Sequence, residues 1–190
     1  MRERGLLLAI ALLAGCGGAS PTPTRGDGEE ASDVERYFPS APGTAWSYDV
    51  VAGEGPPALV IARVVARDQD RVAISVSGSE PNQYQLRRDG VYSTDAGAYA
   101  LKWPLEVGST WIGRGEGLAT IVDVDATLDT PAGRLARCVV VREEREAPPT
   151  TVETHFCPDV GVARLEVELR LEAGAIRTVT QIRGFSPGGG

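Results

Sequence analysis

Histidine, lysine and methionine each occur once in the 190 residues, as His155, Lys102 and Met1, and cysteine only three times. A lone histidine with no second imidazole or spare thiol leaves no donor set for zinc and no histidine-based triad. His155 therefore reads as a surface or cross-strand residue between Thr154 and Phe156. Positive charge is almost all arginine and never clusters, and the formal net charge is −7. A nucleic-acid partner needs a phosphate-neutralising stripe, so that class is excluded. Asp123, Asp125 and Asp129 lack the spacing, the glycine and the terminal glutamate of a calcium loop. Gly113-Arg114-Gly115-Glu116-Gly117 is glycine-rich, yet Glu116 is ill suited to a phosphate and no helix follows. No nucleophile elbow is present either. The sequence thus singles out no catalytic residue, no metal ligands and no cofactor. It also lacks any sustained 3.6-residue apolar stripe, which argues against a helical core.

The one long apolar run is at the N-terminus. Arg2 and Arg4 precede Leu6 to Leu13, a run too short to span a bilayer as a mature helix, so residues 1–15 read as a signal peptide. Leu13-Ala14-Gly15-Cys16 resembles a bacterial lipobox. The resemblance implies diacylation of the Cys16 thiol, cleavage before it and acylation of the freed amine. Several acyl chains anchor stably, at about 0.8 kcal/mol per buried methylene. Gly17 stands where an inner-membrane retention signal has Asp. By resemblance to lipoprotein sorting in enteric bacteria, this implies the outer membrane, with the protein facing the periplasm. Residues 16–32 are Gly, Pro, Ser, Thr and acid, which predicts a disordered, lipid-anchored tether.

The remainder, residues 33–185, has the length of one domain, and the Pro/Gly-rich residues 186–190 read as a flexible tail. With Cys16 committed to lipid, Cys138 and Cys157 remain, in an exported domain where disulfides persist. Strands on either side of Ala147-Pro148-Pro149-Thr150 place Cys138 opposite Cys157. The same register sets Arg142 against Glu153, Val141 against Thr154 and Val139 against Phe156, giving one charge pair and one compact apolar face. A disulfide closing this loop contributes about 3 kcal/mol in the chain-entropy account.

Strand signals dominate the rest. Ser32-Asp33-Val34-Glu35 has capping-box spacing and predicts one helical turn. Strands follow over 46–51, 59–67, 71–77, 84–88, 91–94 and 99–101, with a two-residue turn expected at Asp89-Gly90. Beyond Trp111, Leu118, Thr120, Val122, Val124, Ala126 and Leu128 are expected on one face of a long strand. Residues 162–171 alternate Ala163, Leu165, Val167, Leu169 and Leu171 against charge. Ala173-Gly174 then closes a hairpin that sets Ile176, Thr178 and Ile182 opposite Leu171, Leu169 and Leu165. The predicted fold is all-β: a single curved antiparallel sheet, or a half-open barrel or sandwich, of about ten strands. The charged alternate face argues against a membrane-spanning barrel.

One stretch occurs twice. Phe38-Pro39-Ser40-Ala41-Pro42-Gly43-Thr44-Ala45-Trp46 is matched in spacing by Trp103-Pro104-Leu105-Glu106-Val107-Gly108-Ser109-Thr110-Trp111. The repeat predicts two related halves, about residues 37–100 and 101–185, each opened by a turn and an inward tryptophan. Trp46, Tyr48, Trp103 and Trp111 are either core anchors or the lining of a ligand groove.

Taken with Tyr37-Phe38-Pro39, Arg88-Asp89-Gly90-Val91-Tyr92, Thr130-Pro131-Ala132-Gly133 and Pro158-Asp159-Val160-Gly161-Val162, the ordered motifs resemble a group of uncharacterised, myxobacteria-like envelope lipoproteins. The resemblance covers roughly residues 35–184 and carries over no site. Ser40 departs from the Leu that follows the first Pro in that group. A more distant likeness joins the chain to the half-barrel lipoprotein carriers of the envelope. The expectation is a non-enzymatic outer-membrane lipoprotein acting as an interaction or structural module. The alternatives are a carrier or sensor of an apolar ligand in a concave β groove, and, behind it, an enzyme. The membrane, reached through the lipid anchor, is the one partner named.

Overall fold

The computed structural model describes residues 33–189. The signal peptide, Cys16, the tether through residue 32 and Gly190 lie outside the described residues. Residues 33–37 form the expected short helix, α1. Twelve strands follow: β1 Ala45–Ala52, β2 Ala58–Asp68, β3 Arg71–Val76, β4 Asn82–Arg87, β5 Gly90–Ser93, β6 Ala98–Lys102, β7 Thr110–Ile112, β8 Leu118–Thr130, β9 Gly133–Glu146, β10 Pro149–Cys157, β11 Gly161–Leu171 and β12 Gly174–Ser186. They make a single antiparallel sheet in the order β6-β5-β4-β3-β2-β1-β12-β11-β10-β9-β8-β7. Every connection is a simple up-and-down step, and β1 pairing with β12 brings the ends of the chain together. The two edge strands, β6 and β7, approach without pairing, so the sheet curls into a nearly closed barrel. This is the expected single curved antiparallel sheet of about ten strands; the three-residue β7 is too short to show alternation in the sequence.

Closure hides the apolar face that an open sheet would expose. Val64, Val72, Val91, Leu101, Ile121, Val141, Phe156 and Ile182 are buried to 1 % exposure or less, apart from Phe156 at 2 %. The outer face of β9–β12 and β1 is charged instead: Arg142 pairs with Glu153 at 3.0 Å, Glu166 takes both Arg164 at 3.0 Å and Arg177 at 2.6 Å, and Arg183 reaches Asp49 at 3.1 Å. A lipid-facing band does not look like this.

The repeat is realised in the backbone. Gly43 and Gly108 have φ of 84° and 91°, the left-handed region that favours glycine. In the first copy Gly43 N–H donates to Val64 O at 3.0 Å, and Val64 N–H donates back to Thr44 O at 2.9 Å. In the second, Gly108 N–H donates to Ile121 O at 2.8 Å, and Ile121 N–H to Ser109 O at 3.0 Å. Trp46 then sits opposite Ala62, and Trp111 opposite Ala119. The halves are β1–β6 and β7–β12, and the tryptophan of each motif seats on the other half. Trp46 Nε1–H donates to Val160 O at 2.6 Å, between β10 and β11, while Trp111 Nε1–H donates to Tyr99 O at 3.0 Å, on β6. Such reciprocal seating makes the halves one cooperative unit.

Antiparallel alternation puts α1, both motif loops and the β2–β3, β4–β5, β8–β9 and β10–β11 turns at one end of the barrel. That end is plugged. Val34 and Phe38 are buried there at 2 % and 7 % exposure. Arg67 pairs with Glu35 and donates to Ser40 Oγ at 2.9 Å, and Arg36 lies 3.6 Å from Asp159. Gly188 N–H donates to Thr44 Oγ1 at 3.0 Å, so the segment after β12 also lies against the first motif.

Cys138 and Cys157 are bonded, and the predicted pairs Arg142–Glu153, Val141–Thr154 and Val139–Phe156 are those observed. Cys138, Cys157 and the neighbouring Ala163 are fully buried and continuous with the main core. The far end of the β8–β9 hairpin reaches β12: Gln181 donates its side-chain amide to Asp129 O at 2.8 Å.

Three local expectations differ from the structure. On β8 the register shifts between Ile121 and Asp123. Ala119 and Ile121 are buried before the bulge, Leu128 is buried after it, and Leu118 is 52 % exposed. Further shifts follow between Asp123 and Ala126 and between Ala126 and Leu128, so a single apolar face from Leu118 to Leu128 does not form. In the last hairpin Leu171 pairs with Gly174 and Leu169 with Ile176. The loop is the tighter Glu172-Ala173, which moves each partner by two positions and keeps the faces. The β4–β5 loop is Arg88-Asp89 rather than Asp89-Gly90, with Gly90 already paired to Arg87. A Cβ on Gly90 would stand 2.3 Å from Leu101 O, so glycine serves close strand approach here.

Candidate functional site

The barrel interior is apolar but not filled. A cavity of about 300 Å³ lies among β1–β4 and β10–β12, at the lower end of the range for small-molecule sites. Its floor is built from Phe38, Trp46 and Phe156, all buried. Higher on the walls stand Val50, Val60, Val76, Leu165 and Thr180, all half-buried, so the cavity opens toward the end opposite α1. Alternation on β1 explains the wall: Trp46, Tyr48 and Val50 are two apart and face inward together. The polar ends of the two aromatics are satisfied by the bulged β10–β11 connection. Trp46 Nε1–H donates to Val160 O at 2.6 Å, and the Tyr48 hydroxyl donates to Val162 O at 2.9 Å. Their rings are thereby left as apolar surface. Tyr84 packs against Phe38 with ring centroids 5.1 Å apart. Burial, followed by proximity to Tyr84, pushes the Tyr48 hydroxyl well above the ordinary tyrosine range, and burial pushes Tyr84 up as well. Both remain neutral hydroxyls at physiological pH.

Two polar features interrupt the lining. Arg114 reaches the cavity wall from a 3-10 turn between β7 and β8. Its guanidinium donates to Glu143 Oε1 through Nη2 at 3.0 Å and Nε at 3.3 Å, and its backbone N–H donates to Oε2 at 2.8 Å. Glu143 is 5 % exposed, on the same inward face of β9 as Val139 and Val141. The pair is charge-neutral, and both carboxylate oxygens are engaged. This explains the glycine-rich loop: a Cβ on Gly113 would stand 2.5 Å from Glu143 Oε2, and one on Gly115 would stand 2.6 Å from Arg145 Nη1. The loop is bare so that it can wrap two β9 side chains. The second feature is Thr154, 4 % exposed on the inward face of β10, whose Oγ1 has no hydrogen-bond partner among the described residues.

The four aromatics singled out by sequence are separated. Trp46 and Tyr48 line the cavity. Trp111 is buried at 7 % exposure on the other side of the barrel, donating Nε1–H to Tyr99 O at 3.0 Å. Trp103 packs edge-on against Tyr37, 6.3 Å between centroids, beneath the plugged end. His155 points outward beside Glu153 at 3.1 Å. Arg114, Glu143 and Thr154 were not singled out. Glu143 had a legible signal, since the predicted register puts it on one face with Val139 and Val141, where a charge has no business without a partner. Its partner was not legible, because Arg114 comes from a loop 29 residues away in the chain.

No protein-family model matches the chain, and no curated protein is similar to it in sequence. Two crystal structures bear a remote likeness. One is a provisionally named exported protein with a YmcC-like fold from Bacteroides fragilis NCTC 9343, 11 % identical over 78 % of this chain and 98 % of that one, with a TM-score of 0.49. The other is a provisionally named lipoprotein from Parabacteroides distasonis ATCC 8503, 11 % identical over 79 % of this chain and 98 % of that one, with a TM-score of 0.48.

Proposed function

We propose that this protein is a non-enzymatic lipoprotein of the bacterial outer membrane, anchored through acylated Cys16 and facing the periplasm, whose barrel carries or senses an apolar ligand. One observation carries the ligand reading: the barrel encloses a half-open apolar cavity of about 300 Å³ instead of a filled core. Burying apolar ligand surface there is favourable at about 25 cal/mol per Å² before the costs of association. The anchor rests on the sequence around Cys16. The described chain begins at the plugged end, so an anchored barrel has its mouth on the side opposite the attachment.

The test uses the chain from residue 16 onward with Cys16→Ser, exported so that the disulfide forms and studied without detergent. Titration with the neutral apolar dye N-phenyl-1-naphthylamine is expected to give saturable one-to-one fluorescence enhancement. Val76→Trp places a bulky ring at the half-exposed mouth and is expected to abolish it. Absence of saturable binding, or binding indifferent to Val76→Trp, would contradict the reading. For the anchor, the intact mass of the natural mature protein is expected to show acyl chains on a species starting at Cys16. An unmodified species starting elsewhere overturns it.

The interaction-module reading keeps one observation of its own. Leu59, Ile61 and Val65 are 60 %, 45 % and 50 % exposed along the outer face of β2, with exposed Arg63 between the last two; clustered exposed apolar side chains mark contact surfaces.

A further inference from the structure

The electrostatics of the cavity and its mouth narrow the ligand class. The geometry points to an uncharged single-chain amphiphile whose oxygen-bearing group is hydrogen-bonded by Thr154; this rests on the ligand reading above.

Charge is excluded at both ends of the path. The turns around the mouth present exposed carboxylates at Glu54, Glu80, Asp95, Glu116, Glu146 and Glu172, which repel an approaching anion. Inside, the one cation lining the cavity, Arg114, has its guanidinium held by Glu143 through two hydrogen bonds, and Arg145 lies outside the lining, against Gly115. An anionic head would therefore be buried without a free counter-charge, and a cationic head would meet Arg114 while losing its water; either arrangement is costly in an apolar site. A neutral group meets neither penalty.

Thr154 supplies the specificity. A buried hydroxyl with no partner is destabilising, by the desolvation it suffers without compensation. Thr154 stands two residues above the floor residue Phe156 on the same face of β10, among cavity-lining residues. Its Oγ1 is shielded in the rotamer described. Rotation about χ1 moves the hydroxyl between staggered positions, and a hydroxyl or carbonyl on the ligand selects the one that faces it. An alcohol, ester or other neutral head on an alkyl chain satisfies the group that the protein leaves unsatisfied. The inner face of the β11–β12 hairpin provides the approach for the chain. Val167 and Leu169 continue the line of cavity residue Leu165 outward to Leu171 and Ile176, which are 47 % and 51 % exposed.

The experiment titrates the same Cys16→Ser chain with 1-decanol and with decanoate at pH 7.5, below their aggregation concentrations, following tryptophan emission. Decanol is expected to bind at least about tenfold more tightly than decanoate, the order expected from leaving a charge uncompensated. Thr154→Val is expected to weaken decanol by about fivefold, the worth of one hydrogen bond, and to raise the thermal midpoint because the stranded hydroxyl is gone. Thr154→Ser keeps the hydroxyl and is expected to keep decanol affinity. Decanoate binding as tightly as decanol overturns the neutral-ligand assignment. Decanol affinity indifferent to Thr154→Val overturns the role of Thr154. If the dye binds but decanol does not, this inference alone fails; if neither binds, the ligand reading fails with it.

Discussion

Replacing Trp46 with alanine is expected to cost about 4 kcal/mol of stability, at the level of large aromatic truncations in packed cores. The indole is 5 % exposed, stacks toward Phe185 with centroids 6.0 Å apart, and ties the first motif to the β10–β11 turn through Val160 O. Its loss therefore removes core volume, a hydrogen bond and one of the two seats that hold the halves together. Against a typical total of about 5–15 kcal/mol, the variant is expected to survive only marginally, with urea unfolding moved to much lower concentration. Trp111→Ala is expected to cost a similar amount, since Trp111 holds the equivalent place in the second half. The two diverge in binding. Trp46→Phe, which preserves most of the volume, is expected to alter affinity for apolar probes, while Trp111→Phe is expected to leave it unchanged. A cost below about 0.5 kcal/mol for Trp46→Ala, the usual size of a surface change, would contradict its place at the cavity floor.

The second large effect concerns the disulfide. Replacing both Cys138 and Cys157 with alanine is expected to cost about 3 kcal/mol, because the bond closes a loop of about this length in the unfolded chain; the cysteines are 19 residues apart. Both are fully buried. Reductant alone is therefore expected to leave the native protein oxidised, whereas reductant with urea is expected to lower the unfolding midpoint to that of the double variant. Equal midpoints with and without reductant would show that the bond adds no constraint.

That staple was readable in advance because the β9–β10 pairing is unbulged from Pro149 to Phe156, so one assumed contact placed all the others. The long β8 was misread for the opposite reason. A bulge is a single residue of misfit that leaves the composition of a strand unchanged, and three register shifts along β8 leave Leu118 outward while Ala119 and Leu128 are both buried. The repeat was legible because each copy solves the same backbone problem: a positive-φ glycine, a turn, then a tryptophan. What it could not convey is reciprocity. Trp46 with Val160 and Trp111 with Tyr99 are contacts between halves, set by closure of the sheet. Cavity membership was illegible for a related reason. Trp46 and Trp111 are equivalent in sequence and in local geometry, yet only Trp46 lies where β1–β4 and β10–β12 stand apart. Whether a curled sheet meets itself or leaves a gap depends on the summed volumes of side chains from many strands, a quantity no local pattern carries.

The central claim is that an apolar ligand enters the barrel and does not merely adhere to its surface. Methyl-resolved NMR during titration with 1-decanol tests this residue by residue. The expected result is saturable shifts at Val50, Val60, Ile74, Val162 and Leu165, which line the cavity, while Leu59, Ile61, Ile112 and Leu118, exposed outside it, stay in place. Shifts confined to those outer residues, with the cavity methyls unmoved, would contradict it.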